Sequence, residues 1–432
     1  MEFPDREALD GLIDPRPTPE FARVHREPAS DALDDPAAVA RDELDRLDLD
    51  RLAPGATVAV GAGSRGIHAY DAVVAAVVAG LDDRGFDPVV VPAMGSHGGA
   101  TPAGQLDVLA ELGVTAERVG APIDARMATN PVDTVAVGDG GLTVHVAEAA
   151  LEADATVVVN RVKAHTNFTG PIESGLTKMA VVGLGKQRGA KAFHSTAVAE
   201  GYVEALTAAL DPVAEAAGLA GGVALVENAD ERLCAVEGVP GGAFLDREPA
   251  LLERANAEMP TLPVDDVDLL VVDEIGKEIS GAGMDTNVVG RYRVLNAPDP
   301  ETPEVKLIYV RGLTDATNGN GTGIGLADLT RAAAVEQLDA TKTYANVLTS
   351  GSLAKGKLPV VAPDDEFALR TALAALGADD PDGARILWVR NTQELDDLWA
   401  SAAVLSDLPA DATVVGRGTL DFDDGTATFD EA

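Results

Sequence analysis

The chain of 432 residues has a single cysteine, Cys234. That excludes an intramolecular disulfide and every iron–sulfur or zinc centre built from several thiolates. Aromatic residues make up only 4% of the chain, so its core must be filled by alanine, valine and leucine. No run of about 18 apolar residues occurs, which leaves no candidate for a membrane-spanning helix. The amino-terminal stretch MEFPDREALDGLIDPRP lacks the charged-then-apolar order of a signal peptide, and a cytoplasmic location is expected. Basic charge is scarce as well: Asp and Glu outnumber Lys and Arg by 71 to 33, for a net charge of −38. A surface of that sign repels nucleic acid and anionic membranes, both of which need a basic face to release counterions. The acids are spread along the chain and apolar segments recur throughout. This fits a folded, halophilic type of protein, working in concentrated salt, and not an acidic disordered one.

What is present points to an α/β fold. At this length two or three domains are expected, and 46% apolar residues with 44 glycines fit globular cores joined by tight turns. Residues 1–50 are acidic and contain one short amphipathic helix, over DPAAVARDELDRLDLDRL. After it, ATVAVGAGS and DPVVVPAMGSHGG each read as a strand that runs through a glycine turn into a helix, the alternation that builds a parallel sheet. A long helix is expected over 191–218, then the strand GGVALVENA. The prolines of MPTLP, residues 259–263, mark a boundary between residues 1–262 and 263–432. Beyond it VDDVDLLVVDEIG, EVKLIYVRGL, KLPVVA and ARILWVRNT read as strands, with helices around 323–338, 365–377 and 392–404 and a terminal hairpin. The expectation is two α/β domains, each with a mostly parallel sheet flanked by helices, and an active site in the cleft between them.

The stretch 155–194 concentrates reactive side chains. It holds two of the six histidines, His165 and His194, and four of the nine lysines, Lys163, Lys178, Lys186 and Lys191. Such clustering suggests a site that needs an amine nucleophile together with metal or proton-transfer ligands; the plainer reading is a basic surface patch. His97, in GSHGG, and His165 both follow strands, at the edge where open α/β sheets bind ligands. His68 and His145 fall within a helix and a strand and read as structural. GAGSRG (61–66) matches a glycine spacing of dinucleotide-binding folds, which would make the chain an NAD-dependent oxidoreductase. However, the next strand ends in Ala93 and Met94, without the acid that would bind ribose. The loop suits a phosphate or carboxylate held by backbone N–H groups, with Arg65 adding charge. GLGKQRG (183–189) is a second candidate phosphate loop.

Taken together, GSHGGAT, KAHTNFTGPIESG, Lys178, VVGLGKQ and AFHS resemble the nickel-pincer lactate racemase family. The resemblance covers residues 55–200 well and the carboxy-terminal half in outline, through GAGMDTNVVGRYR and RGLTDATNGNGTGIG. Its most specific element is the interval of 16 residues from Lys178 to His194. The resemblance implies an isomerase, a racemase or epimerase of a 2-hydroxy acid working by reversible hydride transfer. Its cofactor would be a nickel-pincer nucleotide, nickel pyridinium-3,5-bisthiocarboxylic acid mononucleotide. Lys178 would carry the cofactor as a thioamide and His194 would bind the metal. Ser64, Arg65, Gly183 and Gly185 would contact the cofactor, His97 and His165 would be the acid/base pair, and Arg65 and Arg293 would hold substrate. Cofactor-building enzymes become expected partners.

Three departures from the family pattern bear on the substrate. The interval from His165 to Lys178 is 13 residues, about three longer than the family's, and Ala62 stands where it has an acid. Val289-Gly290 replaces Tyr-Gln, and Arg293 stands where it has a substrate-binding lysine. These imply a kept cofactor site and a changed substrate site. A non-catalytic relative that binds a metal or nucleotide is the alternative from another class.

Overall fold

The structure, a computed structural model, describes residues 6–27, 31–295, 298–378 and 380–431. Among the described residues sixteen strands follow in chain order: β1 (Phe21–Arg26), β2 (Thr57–Ala62), β3 (Asp87–Pro92), β4 (Thr129–Val137), β5 (Gly140–Ala147), β6 (Ala155–Arg161), β7 (Leu219–Glu227), β8 (Leu233–Pro240), β9 (Asp266–Val272), β10 (Glu304–Val310), β11 (Leu329–Arg331), β12 (Val360–Ala362), β13 (Ile386–Val389), β14 (Asp397–Ser401), β15 (Ala412–Asp423) and β16 (Thr426–Glu431). They belong to two compact units. One comprises Ala29–His165 and Thr169–Met259; the other comprises Met1–Pro28, Thr166–Phe168 and Pro260–Ala432.

The first unit is built on a sheet of order β3-β2-β6-β7-β8. Its first four strands run parallel and β8 is antiparallel at the edge. A parallel sheet is covered on both faces, so its strands read as continuous apolar runs. Val58, Ala59 and Val60 of β2 and Val157, Val158 and Val159 of β6 are all 0% exposed. Burying a valine fully is worth roughly 1.5–3 kcal/mol, so these runs decide where the sheet lies. The helix Tyr70–Asp83 packs by the 3.6-residue period, burying Val73, Val74, Val77, Val78 and Leu81. β4 and β5 form a separate antiparallel pair. The helix expected over 191–218 is two helices, Lys186–Glu200 and Tyr202–Ala216, broken at Gly201. With φ at +110° that backbone turn is open to glycine and strained for other residues.

The second unit has a sheet of order β12-β11-β10-β9-β13-β14-β1-β15-β16. β12 to β13 form the expected parallel part. From β14 onward the sheet continues antiparallel, with β1 from the amino terminus inserted between β14 and β15. Leu269 and Val271 enter one core cluster, Leu270 and Val272 the other, as period-two alternation through a sheet buried on both faces requires. The helix expected over 392–404 is not formed. Leu398 and Ala400 join one core while Trp399 packs on the opposite side, so the segment is strand β14, followed by a 3₁₀ turn. The 323–338 segment also divides, into a 3₁₀ turn, β11 and the short helix Ala332–Glu336. The terminal hairpin β15–β16 turns at Asp424 and Gly425, both at positive φ, as a tight two-residue hairpin turn demands.

Among the described residues the buried acids are Glu173, Glu248, Glu258, Asp285 and Asp365, so the acidic excess is a surface property. Surface repulsion is screened as the Debye length falls from roughly 30 Å at about 0.01 M to about 3 Å at about 1 M salt. The melting temperature is therefore expected to rise between low and molar potassium chloride. A flat or falling series would show that the acids are already compensated.

Candidate functional site

Three adjacent parallel strands of the first unit, β3, β2 and β6, deliver the candidate residues at their carboxy-terminal ends. β2 leads into the loop 63–66, held by Tyr70: the Gly63 N–H donates to the buried phenol oxygen at 2.7 Å, and the phenol donates to the Val159 carbonyl at 2.9 Å. Ser64 and Arg65 therefore stand on an anchored loop. β3 leads into the turn that carries His97, whose exposed imidazole meets Ser64 across 2.5 Å, Oγ to Nδ1. The serine hydroxyl can donate to or accept from the ring nitrogen, so the contact orients the imidazole in either tautomer. β6 leads through Lys163 to His165.

The loop after His165 folds back so that Lys163 and Ser174 exchange backbone hydrogen bonds. Inside it lies Glu173, 4% exposed, which accepts from the His165 N–H at 2.5 Å and the Gly170 N–H at 3.0 Å. Burial raises its pKa, against the opposing pull of those two N–H donors and of Lys178. A short helix, Leu176–Lys178, follows. Its first turn is secured by buried Glu248, which accepts from the N–H and hydroxyl of Thr177. The helix passes into a π-helical turn, Met179–Gly183, a wide geometry that recurs at functional sites.

Lys178 is partly buried, and desolvation of its ammonium, reinforced by the charge of Arg65 and opposed by Glu173, brings its pKa down to about 7. An ordinary lysine stays protonated until about pH 10. His194 keeps contact with solvent, yet the surrounding protein and then the charge of Lys178 lower its pKa, leaving a neutral imidazole near pH 7. Tyr202 sits by both remaining groups. Its ring centroid is 6.3 Å from that of His165 and 6.4 Å from that of His194. Burial raises its phenol pKa, so it stays protonated.

Thus Ser64, Arg65, His97 and His165 follow strand ends at one edge of the sheet, and Lys178 and His194, on helices of the same unit, join them through charge and ring contacts. Gly183 and Gly185 are buried in packing. A Cβ on Gly183 would stand 2.5 Å from the Ala93 carbonyl, so glycine allows the π-turn to approach the end of β3. Arg293 lies in the second unit, exposed at φ +48°, with its backbone N–H and guanidinium both on Asp299, at 2.9 and 3.5 Å. Glu173, Glu248 and Tyr202 were not legible as site residues. Their signal is tertiary: Glu173 is enclosed within reach of the Lys178 charge, Glu248 is enclosed against Thr177, and the Tyr202 ring lies by His165 and His194.

No curated protein matches the chain. Among solved structures it is similar to the lactate racemase apoprotein from Thermoanaerobacterium thermosaccharolyticum, at 12% identity and a TM-score of 0.43, over 86% of this chain and 89% of that one. The family described as "Domain of unknown function (DUF362)" matches residues 61–289. That span is more than half of the chain and contains every site residue named above except Arg293, so the chain belongs to the DUF362 family.

Proposed function

We propose that the chain is an isomerase that inverts a 2-hydroxy acid, using a nickel-pincer nucleotide tethered to Lys178 with His194 as the protein's ligand to nickel. The observation that carries this reading is the amine of Lys178, brought to a pKa of about 7 by burial, beside a neutral imidazole. Acylation or thioacylation of a lysine needs the unprotonated amine. The donor set fits the group in a second way. Among the described residues no three His, Cys, Asp or Glu side chains converge on one point, so a metal at this site depends on donors that arrive with it. The sulfur arms of a pincer are such donors, and a neutral imidazole is a suitable remaining ligand.

When bound, the group supplies a hydride acceptor, chemistry that no side chain offers. The chain's residues handle protons and orientation. His97 takes the substrate hydroxyl proton, its ring oriented by the contact between Nδ1 and the Ser64 hydroxyl. His165 serves the opposite enantiomer, its main chain fixed by Glu173. Arg65 offers a bidentate fork for a carboxylate. Arg293, in the second unit, is engaged by Asp299. Val289 is fully buried in the core of the second unit, and a Cβ on Gly290 would stand 2.0 Å from the Pro303 carbonyl, so replacing the family's Tyr-Gln opens no space for a larger substrate.

The test uses protein produced together with cofactor-building enzymes. Peptide mass mapping should place an adduct on Lys178, and chiral chromatography should show interconversion of at least one single-enantiomer 2-hydroxy acid. His97→Ala and His165→Ala should each abolish it, and His194→Ala should lose nickel while remaining folded. An adduct on Lys186 or Lys191, or interconversion that survives both histidine substitutions, would overturn the assignment. A loaded protein that converts no acid would favour a non-catalytic cofactor binder.

A further inference from the structure

Lys186 has no part in the chemistry above, yet it is the most thoroughly buried lysine near the site, at 0% exposure. It opens the helix Lys186–Glu200 with φ at +51°, and its side chain turns inward instead of into solvent. Nζ donates to the Pro92 carbonyl at 2.6 Å and to Gln105 Oε1 at 3.0 Å. Both acceptors are neutral. Burying an ammonium without a carboxylate against it is unfavourable, and burial brings this group down to about 8, with Asp124 pulling the other way. A residue retained at such a disadvantage for packing alone would serve better as methionine.

Its contacts indicate what it does. Gln105 is itself 0% exposed, and its Nε2 donates to the carbonyls of Gly95 and His97, at 3.1 and 3.4 Å. A protonated lysine amine has no lone pair and cannot accept, so it fixes the amide of Gln105 with the oxygen toward Lys186 and the NH₂ toward the 95–97 turn. The same turn is closed by the His97 N–H donating to Met94 at 3.1 Å and by Gly95 N–H donating to Gly183 at 3.1 Å. The pair thus ties together the end of β3, the His97 turn, the helix Pro102–Glu111 and the helix that carries His194.

We infer that Lys186 and Gln105 are positioning residues: a buried amine–amide brace that sets the His97 main chain so that its imidazole meets Ser64. The inference rests on the proposed function only in giving His97 a proton to carry; the placement itself is independent of any cofactor.

The test is therefore made on the full chain without cofactor, by ¹⁵N-histidine NMR, with the His97 signals assigned by their loss in His97→Gln. In Gln105→Glu the bond to Lys186 is kept and becomes charge-paired, but no N–H remains for the Gly95 and His97 carbonyls. That variant sets a carboxylate oxygen against two buried carbonyls, so it should melt lower than wild type while remaining folded, and the His97 Nδ1 resonance should move from its paired to its free position. His25 and His145 should not move. Lys186→Met and Gln105→Met should show the same His97 change. Wild-type protein supplies a measurement that needs no variant: the Gln105 side-chain NH₂ should be protected from solvent exchange and give cross-peaks to Gly95. Folded variants with an unchanged His97 signal, or an unprotected Gln105 amide, would overturn the brace. If no hydroxy acid is ever isomerised but His97 responds as stated, the proposed function fails and the brace stands.

Discussion

Asp365→Ala should destabilise the second unit by roughly 3–5 kcal/mol, the usual consequence of removing one partner of a buried ion pair. Asp365 is 0% exposed and is the meeting point of four donors. It accepts from the Tyr309 phenol at 2.5 Å, Arg311 at 2.6 Å, the Ala427 N–H at 2.9 Å and Arg331 at 3.1 Å. Arg311 also holds Asp273 at 2.5 Å and lies over the Trp388 ring, 4.9 Å from its centroid. Without the carboxylate Arg311 and Arg331 lose their shared counter-charge, and Asp273 remains as the ion-pair partner of Arg311. Melting should fall by roughly 10 °C, and a shift below about 2 °C would show that water replaces the carboxylate. The pH dependence has a definite sign. Burial by itself would raise the Asp365 pKa, but Arg311, Tyr309 and the Ala427 N–H outweigh it, and the group is held below its ordinary value. Its stabilisation is thus complete above the unfolded pKa, about 4, and is lost as pH falls from there through the folded value.

Lys178 should be the first lysine acylated when the cofactor-free chain is treated with trace acetic anhydride at pH 7. A group with pKa of about 7 is about half unprotonated there, whereas an ordinary lysine is roughly 0.04% unprotonated, a difference of about 10³ in reactive amine. Lys186 and Lys355 are also brought down, each to about 8, but at 0% and 2% exposure they are closed to the reagent. Labelling of the Lys178 peptide against pH should have its midpoint near 7. Arg65→Gln should move the midpoint upward, because a positive neighbour is removed, and Lys178→Arg should abolish the label. A midpoint near 10, or Lys163 or Lys191 reacting first, would remove the basis for a tethered cofactor.

Much of the first unit was legible because parallel strands buried on both faces announce themselves as apolar runs. The turns after VVVP and TVVVNR then place His97 and His165 at the ligand-binding edge without further information. Motif and interval single out Lys178 and His194 in the sequence, and the fold brings the charge of the one to bear on the other. The second unit was less so. β1 and β14 are short, and each is a strand only because the other, with β13 and β15, stands beside it. The local pattern of 392–404 was equally compatible with a helix. Glu173, Tyr202 and Glu248 gave no sign of their roles, since a carboxylate or phenol in a sequence looks the same whether it is solvated or enclosed.

By itself the sequence determined the fold class, the acidic surface and which strand ends carry imidazoles, because these follow from periodicity and composition within a few tens of residues. The protonation states were decided by the tertiary structure alone. Lys178 and Lys191 are the same residue type on neighbouring helices, but only Lys178 is desolvated beside Arg65, a residue brought to it from the end of β2. Lys186 likewise sits in a stretch that reads as a phosphate loop, and its ammonium turns inward to Pro92 and Gln105. Desolvation and charge act through space, and the groups that supply them come from distant parts of the chain.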